Sequence, residues 1–338
     1  MQLTVPLALI GWIPVTLILF SLIRIRHAIL ASYIGAWLFL PVAGYSFSGL
    51  PDYTKVTAPS AAALLGVLVF DAGRLLTFRP KWYDLPMGLW VFGAILTSYL
   101  NGLGLYDGLS ESFSEAVMWG IPYLLGRVYF NDLEAMRDAA VAIVIGGIVY
   151  IPLCLLEVRL SPQLHVWVYG FRVNDFRQNV RLGGFRPTVF MQTGLMVGIW
   201  MMTASLVSIW LWRTRALTRL FGIPAWFIAG ALTVTTVACK SAYSIMLMLI
   251  GIATLYLTKW TGRRAIAIAV LALIPGYMVF RQAEVLSAST LTQFAQTLTN
   301  EDRAKSLGAR LEQEQLFGKR ALQRPFFGWG GWGRSWPI

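Results

Sequence analysis

The stretch AAVAIVIGGIVYIPLCLL, residues 139–156, decides the fold class because its eighteen consecutive residues include no charged side chain. A transmembrane helix needs about 20 predominantly apolar residues to cross the roughly 30 Å hydrocarbon core of a bilayer. In hydrocarbon every backbone polar group needs an internal partner, and a run of this length is too long for a barrel strand. The stretch therefore predicts a membrane-spanning α-helix.

Similar apolar runs occur along the chain, so the sequence predicts an all-α, polytopic integral membrane protein with about ten transmembrane helices. Of the 338 residues, 57% are hydrophobic and 13% are charged, whereas an average soluble domain has about 25% charged residues. This composition excludes a soluble globular enzyme, a disordered chain and a disulfide-rich secreted domain. The ten predicted spans are residues 3–23, 28–47, 58–78, 85–103, 114–130, 139–156, 187–212, 220–239, 243–258 and 265–280.

The short loops between these runs predict the orientation, because cytoplasmic loops carry an excess of Lys and Arg. One alternating set of loops holds eleven such residues, whereas the other short loops hold only Lys55 and Lys240. We expect the first set in the cytoplasm and the N-terminus outside. The eleven residues are Arg24, Arg26, Arg79, Lys81, Arg137, Arg213, Arg215, Arg219, Lys259, Arg263 and Arg264.

Two long arginine-rich segments lie on the predicted external side and hold thirteen of the 28 Lys and Arg residues. We expect residues 1–280 to form the transmembrane body, with an external loop at about 157–186. Residues 281–338 are expected to begin a long external, periplasmic loop. Since the orientation rule counts only short loops, these charges need another explanation, and the net charge of +12 suggests an anionic substrate or anionic lipid.

The usual catalytic signatures are absent from the sequence, which has no Gly-Lys-Ser/Thr phosphate loop, no His-Glu-x-x-His and no nucleophile elbow. The chain has two histidines, His27 and His165, and its cysteines, Cys154 and Cys239, both fall in apolar runs. We therefore expect no metal site, no cofactor and no nucleic-acid partner, and we expect the lipid bilayer as a partner.

Arginine remains as the candidate functional side chain. Residues 177–187 read RQNVRLGGFRP and place Arg177, Arg181 and Arg186 around a Gly-Gly pair, just before a predicted span. The glycines allow close backbone approach or a positive φ, and guanidinium groups bind phosphate oxygens in pairs. The cluster fits the pyrophosphate of a lipid-linked donor, and the alternative is that it pairs with anionic lipid headgroups.

Two further features lie on the predicted external side. Lys240 occupies a very short turn between two apolar runs, either as a lysine that snorkels from a helix end or as a cation that faces an interior cavity. Residues 311–322 have helical spacing, so we predict an amphipathic helix that Pro325 ends. Glycines and tryptophans crowd residues 328–333, where the tryptophan faces suit sugar rings or the membrane interface.

Four stretches, taken in order, resemble the O-antigen ligase and O-antigen polymerase family of bacterial envelope glycosyltransferases. The last of them resembles the Ser-x-x-x-Arg … Pro-x-x-Gly-x-Gly signature of the family's long external loop. The resemblance covers about residue 85 to the C-terminus. The stretches are EVRLSPQLH at 157–165 with Tyr169 and Gly170 after it, RLGGFRP at 181–187, ACKS at 238–241, and SLGAR at 306–310 followed by PFFGWG at 325–330.

This resemblance implies a glycosyltransferase of the bacterial inner membrane, a multi-pass protein that acts on the outer face of that membrane. Such proteins take a glycan from a polyprenyl-pyrophosphate carrier and transfer it to an acceptor sugar on a glycolipid or glycan, without a nucleotide sugar. Carried onto this chain, the resemblance places the catalytic candidates Arg186, Lys240 and Arg310 at the donor pyrophosphate. Further candidates, for substrate binding, are Arg181, Arg177, His165 and Arg320.

Members of the family continue beyond the Gly-x-Gly stretch with more external loop, a histidine proposed to activate the acceptor, and further spans. The sequence here ends at Ile338, so we expect a C-terminally truncated relative. Two alternatives stay open. One is a transporter or flippase for an anionic lipid-linked glycan that uses Asp71, Arg74, Glu115 and Arg127, although no repeated halves occur. The other is a non-catalytic truncated remnant.

Overall fold

The computed structural model describes residues 3–47, 50–181, 183–263, 265–282, 287–298, 301–331 and 335–336. These residues fold into α-helices and three short antiparallel hairpins, which confirms the predicted α-helical class. The helices are α1 (Thr4–Leu22), α2 (Ile25–Phe39), α3 (Thr57–Phe70), α4 (Ala72–Leu75), α5 (Leu85–Leu100), α6 (Gly104–Glu115), α7 (Ile121–Tyr129), α8 (Leu133–Leu160), α9 (Leu164–Tyr169), α10 (Gly194–Arg213), α11 (Ala225–Ala238), α12 (Ala242–Thr261), α13 (Ala265–Gln282), α14 (Ala288–Leu298) and α15 (Glu301–Leu322). The strands are β1 (Gly44–Phe47), β2 (Leu50–Thr54), β3 (Val180–Arg181), β4 (Gly184–Phe185), β5 (Arg219–Leu220) and β6 (Ile223–Pro224).

Four of these helices, α1, α8, α10 and α12, are long and apolar enough to cross a membrane, judged by length and composition. Helices α2, α3, α11 and α13 are also apolar but shorter. These helices indicate a membrane protein. The number of about ten spans and the external position of the two arginine-rich segments stay predictions.

The predicted second span, residues 28–47, is wrong in its last part. Helix α2 ends at Phe39, and Leu40 turns to an extended backbone with ψ 148°. Pro41 follows, and a proline disfavours the helical conformation of the residue before it. Residues 44–47 form strand β1, which pairs with β2 so that Gly44 lies opposite Thr54.

Two other predicted spans are interrupted. The predicted span at residues 58–78 contains α3, which ends at Phe70, and then the separate short helix α4. The predicted span at residues 114–130 is divided between α6 and α7 by a π-helical turn, Ala116–Gly120. Pro122 lies at the start of α7 and has no N–H to donate into the preceding turn, which accounts for the local change of hydrogen bonding.

The chain divides into two compact units, and residues 1–87 and 113–253 form the first. In this unit α1, α2 and α3 pack together, α8, α10 and α11 pack together, and α2 also contacts α8. Small residues allow the close approach. A Cβ added to Gly147 of α8 would lie 2.6 Å from the Ala204 Cβ on α10 and 2.9 Å from Leu232 on α11.

Residues 88–112 and 254–338 form the second unit. Helices α14 and α15 pack together there, and Arg281 Nε at the end of α13 lies 3.3 Å from Glu314 Oε1 on α15. The predicted amphipathic helix at residues 311–322 is confirmed as the end of α15, which stops at Leu322 before Pro325, and its residue Leu311 is buried.

Candidate functional site

The first arginine-rich segment folds into a tight hairpin that positions Arg186. Strands β3 and β4 pair antiparallel, and Gly183 between them adopts φ +68°, a left-handed conformation that suits glycine. The Arg186 N–H donates to the Asn179 carbonyl at 2.8 Å. This bond continues the hairpin by one residue, so the backbone of Arg186 is fixed next to β4.

The Arg186 side chain reaches from the hairpin to the turn between α11 and α12. Its Nη2 donates a hydrogen bond to Ser241 Oγ at 3.1 Å. Its aliphatic carbons cover Gly194 at the start of α10, where an added Cβ would lie 2.7 Å from Arg186 Cγ. Glycine at position 194 therefore leaves the space that this half-buried arginine occupies.

Lys240 approaches the same hairpin from the turn after α11. It adopts φ +52°, and its N–H donates to the Val237 carbonyl at 3.1 Å. Its ammonium lies so close to Gly184 that an added Cβ there would lie 1.8 Å from Nζ. Both expectations for the Gly-Gly pair are therefore confirmed, since Gly183 supplies the positive φ and Gly184 the close approach.

Two serine hydroxyls lie beside these cations. Ser241 Oγ and Ser244 Oγ are 2.8 Å apart, and a Cβ added to Gly198 of α10 would lie 2.5 Å from Ser244 Oγ. Hydroxyls both donate and accept hydrogen bonds, whereas guanidinium and ammonium groups only donate. A cationic, donor-rich arrangement of this kind suits the oxygens of an anion. We call Arg186, Lys240, Ser241 and Ser244 the cationic site.

The loop that follows Arg186 is held by the buried carboxylate of Glu157, at the end of α8. Glu157 Oε2 accepts hydrogen bonds from the N–H groups of Thr188 and Val189, each at 2.8 Å. Its Oε1 accepts from the Leu164 N–H at 2.9 Å. Val189 has φ +49°, unusual for a β-branched residue, so these bonds stabilise a loop conformation that Val189 would not favour alone.

Lys55 holds the same loop by a hydrogen bond to one of the loop's backbone carbonyl groups. Its Nζ donates to the Phe190 carbonyl at 2.6 Å and lies 5.9 Å from the centre of the Trp37 ring. The side chain is buried, and this burial lowers the pKa of Lys55 to about 7. Glu157 accepts hydrogen bonds from backbone N–H groups of the loop between Arg186 and α10, and Lys55 donates one to a backbone carbonyl of the same loop. Both types of backbone group therefore help to fix its conformation.

His165, predicted as a substrate-binding residue, is buried and uses both ring nitrogens within the protein. Nδ1 lies 3.0 Å from the Phe171 carbonyl, and Nε2 lies 3.4 Å from the Val42 N–H. This pair of partners assigns the proton to Nδ1, because the carbonyl accepts and the N–H donates. Burial lowers the pKa of His165, and the Lys55 charge lowers it further. Both nitrogens thus have partners in the fold.

The other predicted site residues are placed as follows. The side chains of Arg177 and Arg181 lie outside the described part of the chain. In the second unit, Arg310 is exposed on α15. Arg320 stacks on Trp329, with its guanidinium carbon 3.4 Å from the ring centre, and its carbonyl accepts the Trp329 indole N–H at 2.8 Å.

Glu157 and Lys55, the two residues that anchor this loop, are absent from the predicted site, and the sequence indicates their role only weakly. Glu157 reads as a charge that ends an apolar run, and Lys55 as an isolated cation in a short external loop. A lone charge beside an apolar run has no partner that spacing alone identifies. Among the residues that the structure describes, no group of three or more His, Cys, Asp or Glu side chains could hold a metal ion.

We expect the Lys55 pKa to make stability rise with pH. The folded state loses the Lys55 proton near pH 7, whereas the unfolded state keeps it to about pH 10.4. Stability rises wherever the unfolded state binds more protons, so the parent should gain about 2 kcal/mol between pH 7 and 9 relative to Lys55→Met. Thermal unfolding of both proteins in detergent at the two pH values measures this. Parallel curves for the two proteins would contradict the assignment.

Comparison with known proteins gives no match. No family model matches the chain, and no curated protein and no solved structure matches it. The functional proposal therefore combines the geometry of the cationic site with the resemblance of sequence motifs.

Proposed function

We propose that this protein is a membrane glycosyltransferase of the O-antigen ligase or polymerase type. It takes a glycan from a polyprenyl-pyrophosphate carrier on the outer face of the bacterial inner membrane and transfers it to an acceptor sugar. The observation that most supports this is that Lys240, far away in sequence, approaches the glycine hairpin that carries Arg186, while Arg186 binds the neighbouring Ser241. Guanidinium and ammonium groups are the side chains that bind phosphate oxygens best.

The chemistry of such a transfer explains why two cations are useful. The oxygen of an acceptor hydroxyl attacks the anomeric carbon and loses its proton to solvent, and the bond from that carbon to the pyrophosphate oxygen breaks, which inverts the anomeric centre. Negative charge grows on the leaving pyrophosphate as this bond breaks. Fixed donors aimed at growing charge stabilise the transition state more than the ground state. Arg186 and Lys240 have this role in our proposal, with one hydroxyl of the Ser241–Ser244 pair as a further donor, since the other donates within the pair.

The remaining assignments depend on the resemblance of sequence motifs. We assign Arg310 to the same donor because it ends the Ser-x-x-x-Arg stretch, and Arg320 to substrate binding. The acceptor is a glycolipid or a glycan. A ligase and a polymerase share the same donor chemistry and differ in this acceptor.

The transporter alternative depends on charges within apolar runs, and the structure engages two of these internally. Arg127 Nε lies 2.7 Å from Asp84 Oδ1, and Asp71 Oδ2 accepts a hydrogen bond from Tyr129 at 2.9 Å. An ion pair and a hydrogen bond of this kind also stabilise helix ends and loops, so they are not evidence of a transport path. No observation on the described residues favours transport over transfer.

Complementation tests the proposal in cells. The full chain is expressed in a bacterial strain that lacks its surface-glycan ligase, with Arg186→Ala, Arg310→Ala and the control Arg219→Ala expressed to equal levels. We expect the parent and the Arg219→Ala control to restore glycan on the acceptor, and the other two variants to restore little of it. If Arg186→Ala and Arg310→Ala restore transfer as well as the parent, the assignment of these arginines to the pyrophosphate is wrong.

A further inference from the structure

An apolar groove runs between α2 and α8 in the first unit, apart from the cationic site. It encloses about 430 Å³, and its walls are apolar side chains such as Leu30 and Ile34 on α2 and Ile145 and Val149 on α8. The lining reaches from Ile23 to Phe39, a distance of about 24 Å at 1.5 Å per helical residue. One leaflet of the hydrocarbon core is about 15 Å thick. The groove is therefore long enough for one acyl chain.

A polar cavity of about 180 Å³ continues the groove at its end near the start of α2. His27 and Asp138 line both spaces, so the two adjoin each other. The loop at this end belongs to the set that we predict to be cytoplasmic, where phospholipid headgroups lie. The further charged residues that line the cavity are Arg24, Arg26, Arg74 and Glu134.

The charges in this cavity are mixed, and they are only loosely paired with one another. Arg26 Nη1 lies 3.5 Å from Asp138 and 3.7 Å from Asp132, beyond the usual N–H···O distance. This nitrogen has no hydrogen-bond acceptor within the described residues. His27 Nε2 lies 3.2 Å from Asp138, and Arg74 is placed over the Tyr129 ring at 4.7 Å.

From this combination we infer a binding site for a phospholipid whose headgroup carries both a phosphate and a primary ammonium, as in phosphatidylethanolamine. One acyl chain lies in the groove between α2 and α8. The phosphodiester binds the arginines, and the ammonium donates to Glu134 and Asp138. This inference is independent of the proposed glycosyltransferase function, since it uses neither the cationic site nor the loop that follows it.

The charged hydrogen-bond donors of this headgroup distinguish it from two common others. A phosphatidylglycerol headgroup brings a phosphate for the arginines, but it offers Glu134 and Asp138 only neutral hydroxyl donors, which bind a carboxylate more weakly than an ammonium does. A phosphatidylcholine headgroup has the same charges as phosphatidylethanolamine, but its quaternary ammonium has no N–H to donate. Only the primary ammonium offers three hydrogen-bond donors to the two carboxylates.

Lipid titration of the purified full chain in detergent, read by native mass spectrometry, tests the site. Phosphatidylethanolamine, phosphatidylcholine and phosphatidylglycerol with identical acyl chains are compared. A charge-assisted hydrogen bond changes affinity by about tenfold or more, so we expect the first lipid to bind the parent about tenfold more tightly than the second. Equal binding of all three lipids, or tighter binding of phosphatidylglycerol, would overturn the inference.

Three variants locate the binding. Glu134→Gln should remove most of the preference for phosphatidylethanolamine over phosphatidylcholine, because its amide accepts a weaker hydrogen bond. Ala142→Trp fills the groove and should weaken phosphatidylethanolamine binding at least about tenfold. The control Arg219→Gln removes an exposed charge outside the cavity and should leave both measurements unchanged. An unchanged lipid preference in Glu134→Gln, with Ala142→Trp also binding as the parent does, places the lipid elsewhere and refutes the site.

Discussion

Replacing Arg186 with glutamine should lower the rate of glycan transfer about hundredfold, and Lys240→Gln should lower it by a similar factor. Each substitution keeps a polar side chain of similar length but removes one positive charge from the pyrophosphate as it leaves. Initial rates with a purified polyprenyl-pyrophosphate donor, at saturating acceptor, measure the effect. Because the lost interaction is stronger in the transition state, we expect the decrease mainly in kcat rather than in KM.

Gly184→Ala leaves both cations in the chain, so it tests whether the position of the Lys240 ammonium matters for transfer in addition to its charge. The Cβ of Gly184→Ala would occupy the space of the Lys240 ammonium, at 1.8 Å from Nζ, and the flexible lysine moves away without unfolding the protein. We expect transfer to fall about tenfold or more. The matched control is Gly230→Ala on α11, where an added Cβ meets nothing within 4 Å. Equal rates in Gly184→Ala and Gly230→Ala would show that the position of Lys240 at the hairpin is irrelevant to transfer.

Glu157→Gln is expected to destabilise the first unit by about 3 kcal/mol, the largest stability change among the variants considered. The carboxylate accepts three backbone hydrogen bonds, and it is completely buried. The amide of glutamine keeps one acceptor oxygen and turns an NH₂ group toward backbone N–H groups. At least one buried donor thereby loses its acceptor, and a charged acceptor is replaced by a neutral one.

The measurement is thermal unfolding in detergent, combined with proteolysis within residues 161–193. Glu134→Gln, an exposed carboxylate near the start of the same helix, is the control and should change stability by less than about 1 kcal/mol. We also expect faster cleavage after the loop loses its anchor, because Val189 needs the carboxylate to keep its positive φ. Equal unfolding temperatures for the two variants would mean that Glu157 does not hold the loop.

Apolar run length predicts much of the helical framework, because crossing a bilayer requires continuous apolar helix. The run at residues 139–156 lies inside α8, and the run at 243–258 lies inside α12. The prediction fails where a local backbone effect interrupts the helix inside an apolar run. Pro41 ends the helix before a strand begins at Gly44, and Pro122 accompanies a π-helical turn inside another run. Average hydrophobicity cannot register such single-residue effects.

The cationic site could be predicted only in part. Arg186 and the Gly-Gly pair are separated by one residue in sequence, so their cooperation is visible in the motif. The loop anchors Glu157 and Lys55 lie distant from each other in sequence, and their role arises from hydrogen bonds to backbone groups of a third segment. Backbone acceptors and donors leave no side-chain pattern. His165 illustrates the reverse case, because a histidine in an arginine-rich segment suggests chemistry while the fold uses both of its nitrogens.

The central claim is that Arg186 and Lys240 act together on the pyrophosphate of a lipid-linked glycan donor. A double-mutant cycle of transfer rates tests it most directly, with the purified parent, Arg186→Gln, Lys240→Gln and the double variant. Residues that stabilise one leaving group act as a unit, so their effects are strongly non-additive. We predict transfer by the parent, a decrease of about hundredfold in each single variant, and at most about tenfold more in the double variant. Absence of product with the parent, or single variants as fast as the parent, would contradict the account.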